Sequence, residues 1–284
     1  MKQLEKPLHR YSFDADRIFY LQYDSYREFI DDANWSGAED RYMASRRVDD
    51  TSWRGTDTFA DAISLAINGW CEGINALEFA NTASILKNAI NENSISLEYR
   101  VYGNYPDIPR FVSGCPQDMV CIINTQSPKR LNIVAKVGFN SAFGWKDFVE
   151  YGSKLLSIID FLERQNIRTR VTVRVGTREK HGMFLIDVKL KDYSEFLDLN
   201  KISFALAHPS FQRRLVFSVL EKQSKEIRRY FDITQDGGYG SDPKDCFTLY
   251  DIDSSLTIKQ DNIDALMVPD KLMESSNARI NYGD

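Results

Sequence analysis

The sequence predicts a mixed α+β domain, an antiparallel-rich sheet with helices packed against it. Three observations carry this. Strand-like and helix-like stretches alternate along all 284 residues without an internal repeat. RTRVTVRV (168–175) and MFLIDVKL (183–190) read as a β-hairpin joined by a polar turn. Residues 58–69, 145–166 and 209–230 carry apolar residues at helical spacing.

From the N-terminus, YSFDADRIFYL (11–21) holds a short strand. Residues 31–56 are polar and charge-rich and read as a long loop. Thr58 and Asp61 then form a capping box with Asp in place of Glu. Phe59, Ala62, Ile63, Ala66, Ile67 and Trp70 follow at helical intervals, which makes one apolar stripe, and Gly69 is a stop signal. A second helix is expected over 75–90. ISLEYRVYG (95–103) reads as a strand, and the loop after it, NYPDIPRF, contains two prolines and two aromatics. CIINTQ (121–126) and LNIVAKVGF (131–139) are strands on either side of the turn SPKR. A helix over 145–166 precedes the hairpin. A helix over 209–230 follows it, and then the glycine-rich loop 235–245. The whole reads as one domain over 1–274 with a flexible tail at 275–284.

Composition narrows the function classes. The balance of 43% hydrophobic and 27% charged residues is globular. No run approaches the roughly 18 apolar residues of a membrane span, and MKQLEKPLHRYSFD lacks the apolar core of a signal peptide. Cys71, Cys115, Cys121 and Cys246 form no CxxC pair and read as free thiols of a reducing cytoplasm. His9, His181 and His208 are far apart, and the acid pairs Asp31–Asp32 and Asp49–Asp50 sit in the charged loop. The calcium-loop, phosphate-loop and dinucleotide fingerprints are missing, as is the serine-elbow motif. The chain therefore reads as a binding protein rather than an enzyme, with no catalytic residue, metal or cofactor expected.

The net charge of −5 does not favour duplex binding by bulk charge, but its distribution is uneven. Strand side chains alternate faces. Arg168, Arg170, Thr172 and Arg174 fall on one face of the hairpin strand, and Val171, Val173 and Val175 on the other. Arg178 and Lys180 follow in the turn. Residues 164–180 hold six basic residues and one acid, whereas 231–274 hold ten acids and three lysines. A row of arginines suits a phosphate backbone, and nearby aromatics would stack bases. The candidate interface is Arg168, Arg170, Arg174, Arg178 and Lys180 on the hairpin. To these are added Arg100, Tyr102, Tyr105, Arg110 and Phe111 in and after the strand at 95–103, and Lys129 and Arg130 in the SPKR turn. The alternative is a solvated sheet face whose charge pairs with the acidic segment. The same polarity suits self-association into a homo-oligomer.

SWRGTDTFADAISLAINGWCEG (52–73) and YPDIPRFVSGCPQDMV (105–120) resemble an uncharacterised family spread among tailed phages. The shared pattern is W-G and A-x-x-G-W-x-E-G, followed by P-D-x-P-R-x-x-x-G-x-P. The chain also resembles Drc-type cofactors, which bind single-stranded DNA and assist the RNA polymerases of phages that encode their own. The resemblance implies sequence-tolerant single-stranded-DNA binding on a fold unlike the five-stranded OB barrel. It further implies a role beside a phage RNA polymerase in the cytoplasm of an infected bacterium. The motif residues are Trp53, Gly55, Gly69, Trp70, Glu72, Gly73, Pro106, Asp107, Pro109 and Arg110. A structural or protein-interaction role in the phage, without nucleic acid, is the second expectation.

Overall fold

A computed structural model describes residues 17–36, 43–70, 96–103, 105–123, 129–179, 182–231, 233, 239, 255–277, 279 and 281–282. The fold is mixed α/β, as the alternation predicts, and its strands form two sheets rather than a barrel. The large sheet contains β1 (Arg17–Tyr23), β5 (Lys129–Lys136), β6 (Ile167–Glu179), β7 (Gly182–Lys191), β8 (Ser255–Ile258) and β9 (Asn281–Tyr282). Its order is β1-β7-β6-β5-β8, and β9 pairs with β5. The small antiparallel sheet is β2 (Ser96–Arg100), β4 (Met119–Ile123) and β3 (Tyr105–Pro106), in that order.

The predicted hairpin is β6–β7, antiparallel, with Arg174 opposite Asp187. β5 and β6 lie side by side and parallel, because the helix α5 (Trp145–Arg164) carries the chain back between them. One face of the large sheet is apolar. Leu131, Ile133 and Ala135 of β5, Val171, Val173 and Val175 of β6, and Phe184, Ile186 and Val188 of β7 are buried. They share one core with Phe148, Leu155, Ile159 and Leu162 of α5. α5 also packs closely on α6 (Leu199–Ala207): a Cβ on Gly152 would stand 2.2 Å from that of Ala207.

The described residues of 31–56, which are 31–36 and 43–56, depart from the loop expected of them. α1 (Tyr26–Ala33) runs into this segment, Ala44–Arg46 form a 3-10 turn, and α2 (Thr51–Arg54) follows. Arginines explain the difference. Arg214 donates from Nη1 to the carbonyls of Ser45 and Arg47, and from Nη2 to those of Thr56 and Asp57. Arg213 donates to the carbonyls of Trp53 and Phe143. Charge that reads as solvation in the sequence is spent on backbone carbonyls, that of Ser45 in a buried bond and the others in partly buried ones. Both arginines sit in a π-helical stretch, Phe211–Val216, so the helix expected over 209–230 is divided. α7 (Phe217–Glu221) continues it directly, and α8 (Lys225–Tyr230) starts anew from the Ser224 cap.

α3 (Phe59–Asn68) has the expected Thr58–Asp61 capping box. Within the small sheet, α4 (Ile108–Val112) stands in place of a loop between β3 and β4. Of the C-terminal residues 275–284 expected to fray, 275–277, 279 and 281–282 are described. α9 (Ile263–Leu266) leads into α10 (Pro269–Asn277), which buries Leu272 and Ser276, and β9 pairs with the start of β5 where β8 does not reach. The helix expected over 75–90 and the loop 235–245, apart from Tyr239, lie outside the described residues.

Candidate nucleic-acid interface

Alternation along β6 places Arg168, Arg170, Thr172 and Arg174 on the face opposite the core. Register adds Lys189 and Asp187 from β7, and Arg130, Asn132 and Lys136 from β5. This polar face is graded. Arg174, Asp187 and Lys136 are buried at one end, whereas Arg168, Arg170 and Lys189 are partly open at the other.

Arg174 is not available to a ligand. Its guanidinium is buried and grips Asp187 with two 2.7 Å contacts, Nε to Oδ1 and Nη2 to Oδ2. The Tyr20 hydroxyl donates to the same carboxylate at 2.8 Å. Burial, and then the charge of Asp187, push the Tyr20 phenol above its ordinary range. The row of three exposed arginines that alternation predicts is therefore a row of two, because the third faces an aspartate across the hairpin.

Arg168 pairs with Glu163 at 3.4 Å. Glu163 is itself committed, accepting from the Thr169 amide at 2.8 Å and hydroxyl at 2.6 Å and pairing with Lys191 at 2.8 Å. Arg170 pairs with Asp192 at 3.1 Å, and so does Lys189. Burial alone would raise the Asp192 carboxyl. Hydrogen bonds from Lys189, the Tyr193 amide and Arg170 outweigh it and bring the group down to about 2. The Tyr193 ring lies 4.4 Å from the Arg170 guanidinium carbon and 5.8 Å from that of Arg130. Phe196, 86% exposed, lies 5.7 Å from that of Arg168. Sequence reasoning passed over Tyr193 and Phe196 because they follow the hairpin's second strand instead of lying on it. Lys129 and Arg130 open β5 rather than forming a turn. Arg178 stands opposite Met183 in the ladder, and Lys180 lies outside the described residues.

The small sheet gathers the other candidates. Tyr99 and Tyr105 flank Val120 on its two sides, so the three side chains share one face. Asp107 caps α4 by accepting from the Arg110 amide at 3.1 Å, and Pro109 sits in the first turn. The helix returns Arg110 to the sheet, its guanidinium 3.6 Å from the centre of the Tyr99 ring. Arg110 also donates to the Gln117 carbonyl at 3.4 Å, and Arg100 approaches the Tyr102 hydroxyl at 3.5 Å. Tyr102 is 69% exposed, Phe111 63% and Tyr105 47%. Val101, Ile108 and Val112 are also exposed. Single exposed apolar residues are ordinary, whereas these cluster on one short module. Gly103 permits the close fold-back, since a Cβ there would stand 2.5 Å from the Val120 carbonyl oxygen.

The tryptophan–glycine motif has a different job. Trp53 holds the Arg213 guanidinium 4.0 Å from its ring. Gly55 has φ +90°, and a Cβ there would meet Pro209 at 2.6 Å and His208 at 2.9 Å. Gly69, φ +86°, abuts the Asn200 carbonyl, which also accepts from the Trp70 amide at 3.0 Å. Trp70 and Trp145 each stand edge-on to His208 at 4.8 Å. Trp53, Gly55, Gly69 and Trp70 thus converge on the stretch from Asn200 to Arg213 as scaffold, while Glu72 and Gly73 lie outside the described residues. Burial lowers the His208 imidazole to about 3 and keeps it neutral. The sign follows: the folded value lies below the unfolded one of about 6.5, so the unfolded chain gains the proton first and stability falls as pH drops below that value. Urea midpoints measured from pH 7 to pH 4.5 should decline, and decline less in His208→Gln than in wild type.

Among the described residues no group of three or more His, Cys, Asp and Glu could hold a metal ion, and no helix is long and apolar enough to cross a membrane. No curated protein and no solved structure matches the chain. The profile of one family, described as Domain of unknown function (DUF7192), matches residues 5–274. With every strand but β9 and every helix but the end of α10 inside that match, the chain belongs to the DUF7192 family.

Proposed function

We propose that this protein binds single-stranded DNA in a sequence-tolerant way, without chemistry. The observation that carries the reading is the small sheet with α4. Four aromatic rings, Tyr99, Tyr102, Tyr105 and Phe111, are at least 38% exposed within one module that also holds Arg100 and Arg110. Bases stack on such rings whatever their identity, each contact worth roughly 1–3 kcal/mol. Arg130, Arg168, Arg170 and Lys189 on the open end of the large sheet suit the phosphates. The motif resemblance supports a cofactor of a phage RNA polymerase in the host cytoplasm, and the uneven charge along the chain supports a homo-oligomer. The test is anisotropy of a labelled oligonucleotide, single-stranded against duplex, at low salt. Preference for the single strand is expected, and equal or absent binding overturns the reading.

One observation favours a second reading, a phage protein-interaction module. Val101, Ile108 and Val112 are 61–78% exposed beside the aromatics, and aliphatic side chains suit a protein partner better than a nucleic acid. Mass photometry with and without DNA separates the two.

A further inference from the structure

We propose that the turn Asp192–Phe196 is a built-in stand-in for a polyanion, occupying the arginines of the large sheet until a nucleic-acid strand displaces it. The inference rests on the DNA-binding reading above and adds its regulation. The Asp192 carboxylate takes the place of a phosphate, between Arg170 and Lys189. The Tyr193 ring takes the place of a base against Arg170 and Arg130, and Phe196 lies near Arg168. Carboxylate and phosphate present the same acceptor geometry to a guanidinium fork, so one excludes the other.

Of the carboxylates facing the β6 arginines, Asp192 is the one placed to leave. Asp187 is buried in its two-point grip on Arg174. Glu163 is 9% exposed and accepts from three further donors. Asp192 is 26% exposed and belongs to a turn held by its own bonds. Its amide donates to Glu195 Oε2 at 2.8 Å, the Glu195 amide to the Asp192 carbonyl at 3.1 Å, and the Tyr193 amide to Asp192 Oδ1 at 2.7 Å. The two ends of the turn are fixed. Lys191 is buried and donates to the Thr169 carbonyl at 2.9 Å, and Asp198 caps α6. A short span between fixed ends can swing off the sheet without unfolding either neighbour.

Asp192→Asn keeps the shape of the turn and removes the competing charge. The full-length variant and wild type are titrated against two probes, a fluorescein-labelled oligothymidylate and inorganic tripolyphosphate, which has no bases. Asp31→Asn is the control, since Asp31 is an exposed acid paired with Arg27. It changes net charge equally without touching the sheet. Asp192→Asn is expected to bind both probes about two- to fivefold more tightly, the range of an exposed ion pair. Its log–log salt slope with the oligonucleotide should steepen by about 0.7, one further phosphate. Wild-type or weaker affinity for both probes, or an equal gain in Asp31→Asn, overturns the inference. If the oligonucleotide binds wild type but neither probe responds to Asp192→Asn, the stand-in fails and the DNA reading survives. If only tripolyphosphate binds, and Asp192→Asn tightens it, the stand-in holds and the DNA reading fails.

Discussion

Arg174→Ala is expected to destabilise the protein by about 3–5 kcal/mol, the cost of stranding one member of a buried ion pair. The partner left behind, Asp187, is buried, with the Tyr20 hydroxyl still donating to its carboxylate. The double variant Arg174→Met/Asp187→Leu should recover most of that loss, because apolar residues of similar volume often replace a buried pair at little cost. Urea unfolding measures both. Under conditions where Arg174→Ala remains folded, its DNA affinity should match wild type. A large loss of affinity without a loss of stability would return Arg174 to the interface.

The second large effect is on binding. Tyr102→Ala with Phe111→Ala removes two of the most exposed rings of the small module. At about 1–3 kcal/mol per stacked base, the lower bound for two rings is about 2 kcal/mol, or roughly 30-fold in affinity for single-stranded DNA. Both side chains are solvated in the free protein, so the unfolding free energy from urea titration should stay within about 0.5 kcal/mol of wild type. The two variants are therefore opposites. One changes stability and leaves binding intact, and the other changes binding and leaves stability intact. An unchanged affinity in Tyr102→Ala/Phe111→Ala would move the contact surface off the small sheet and favour the protein-partner reading.

The sequence made some of this legible. Period-two alternation assigned Val171, Val173 and Val175 to the core and Arg168, Arg170 and Arg174 to the other face, and the structure agrees. The Thr58–Asp61 cap was readable because its partners are three residues apart. Alternation gives a face but not a neighbour, however. That Arg174 meets Asp187, and Arg170 meets Asp192, depends on hairpin register and on a β-bulge between Val171 and Thr172. Long-range pairing hid more. The carbonyls that Arg213 and Arg214 satisfy lie 70 to 169 residues away in sequence. No local pattern distinguishes such an arginine from a solvated one, so 31–56 read as a loop. The parallel pairing of β1 with β7 is invisible for the same reason. On the small sheet the distances are shorter: Arg110 reaches Tyr99 because one turn and one short helix join them.

In the proposed function a single strand is captured by stacked bases and a few arginine–phosphate contacts. Fluorescence anisotropy of one labelled oligonucleotide, titrated as single strand and as duplex across a salt series, tests it most directly. Tighter binding of the single strand is expected at every salt concentration. A log–log slope of about 0.7 per phosphate engaged is expected as well, with residual affinity at high salt from stacking. Equal affinity for both forms, or no binding of either at low salt, would contradict it.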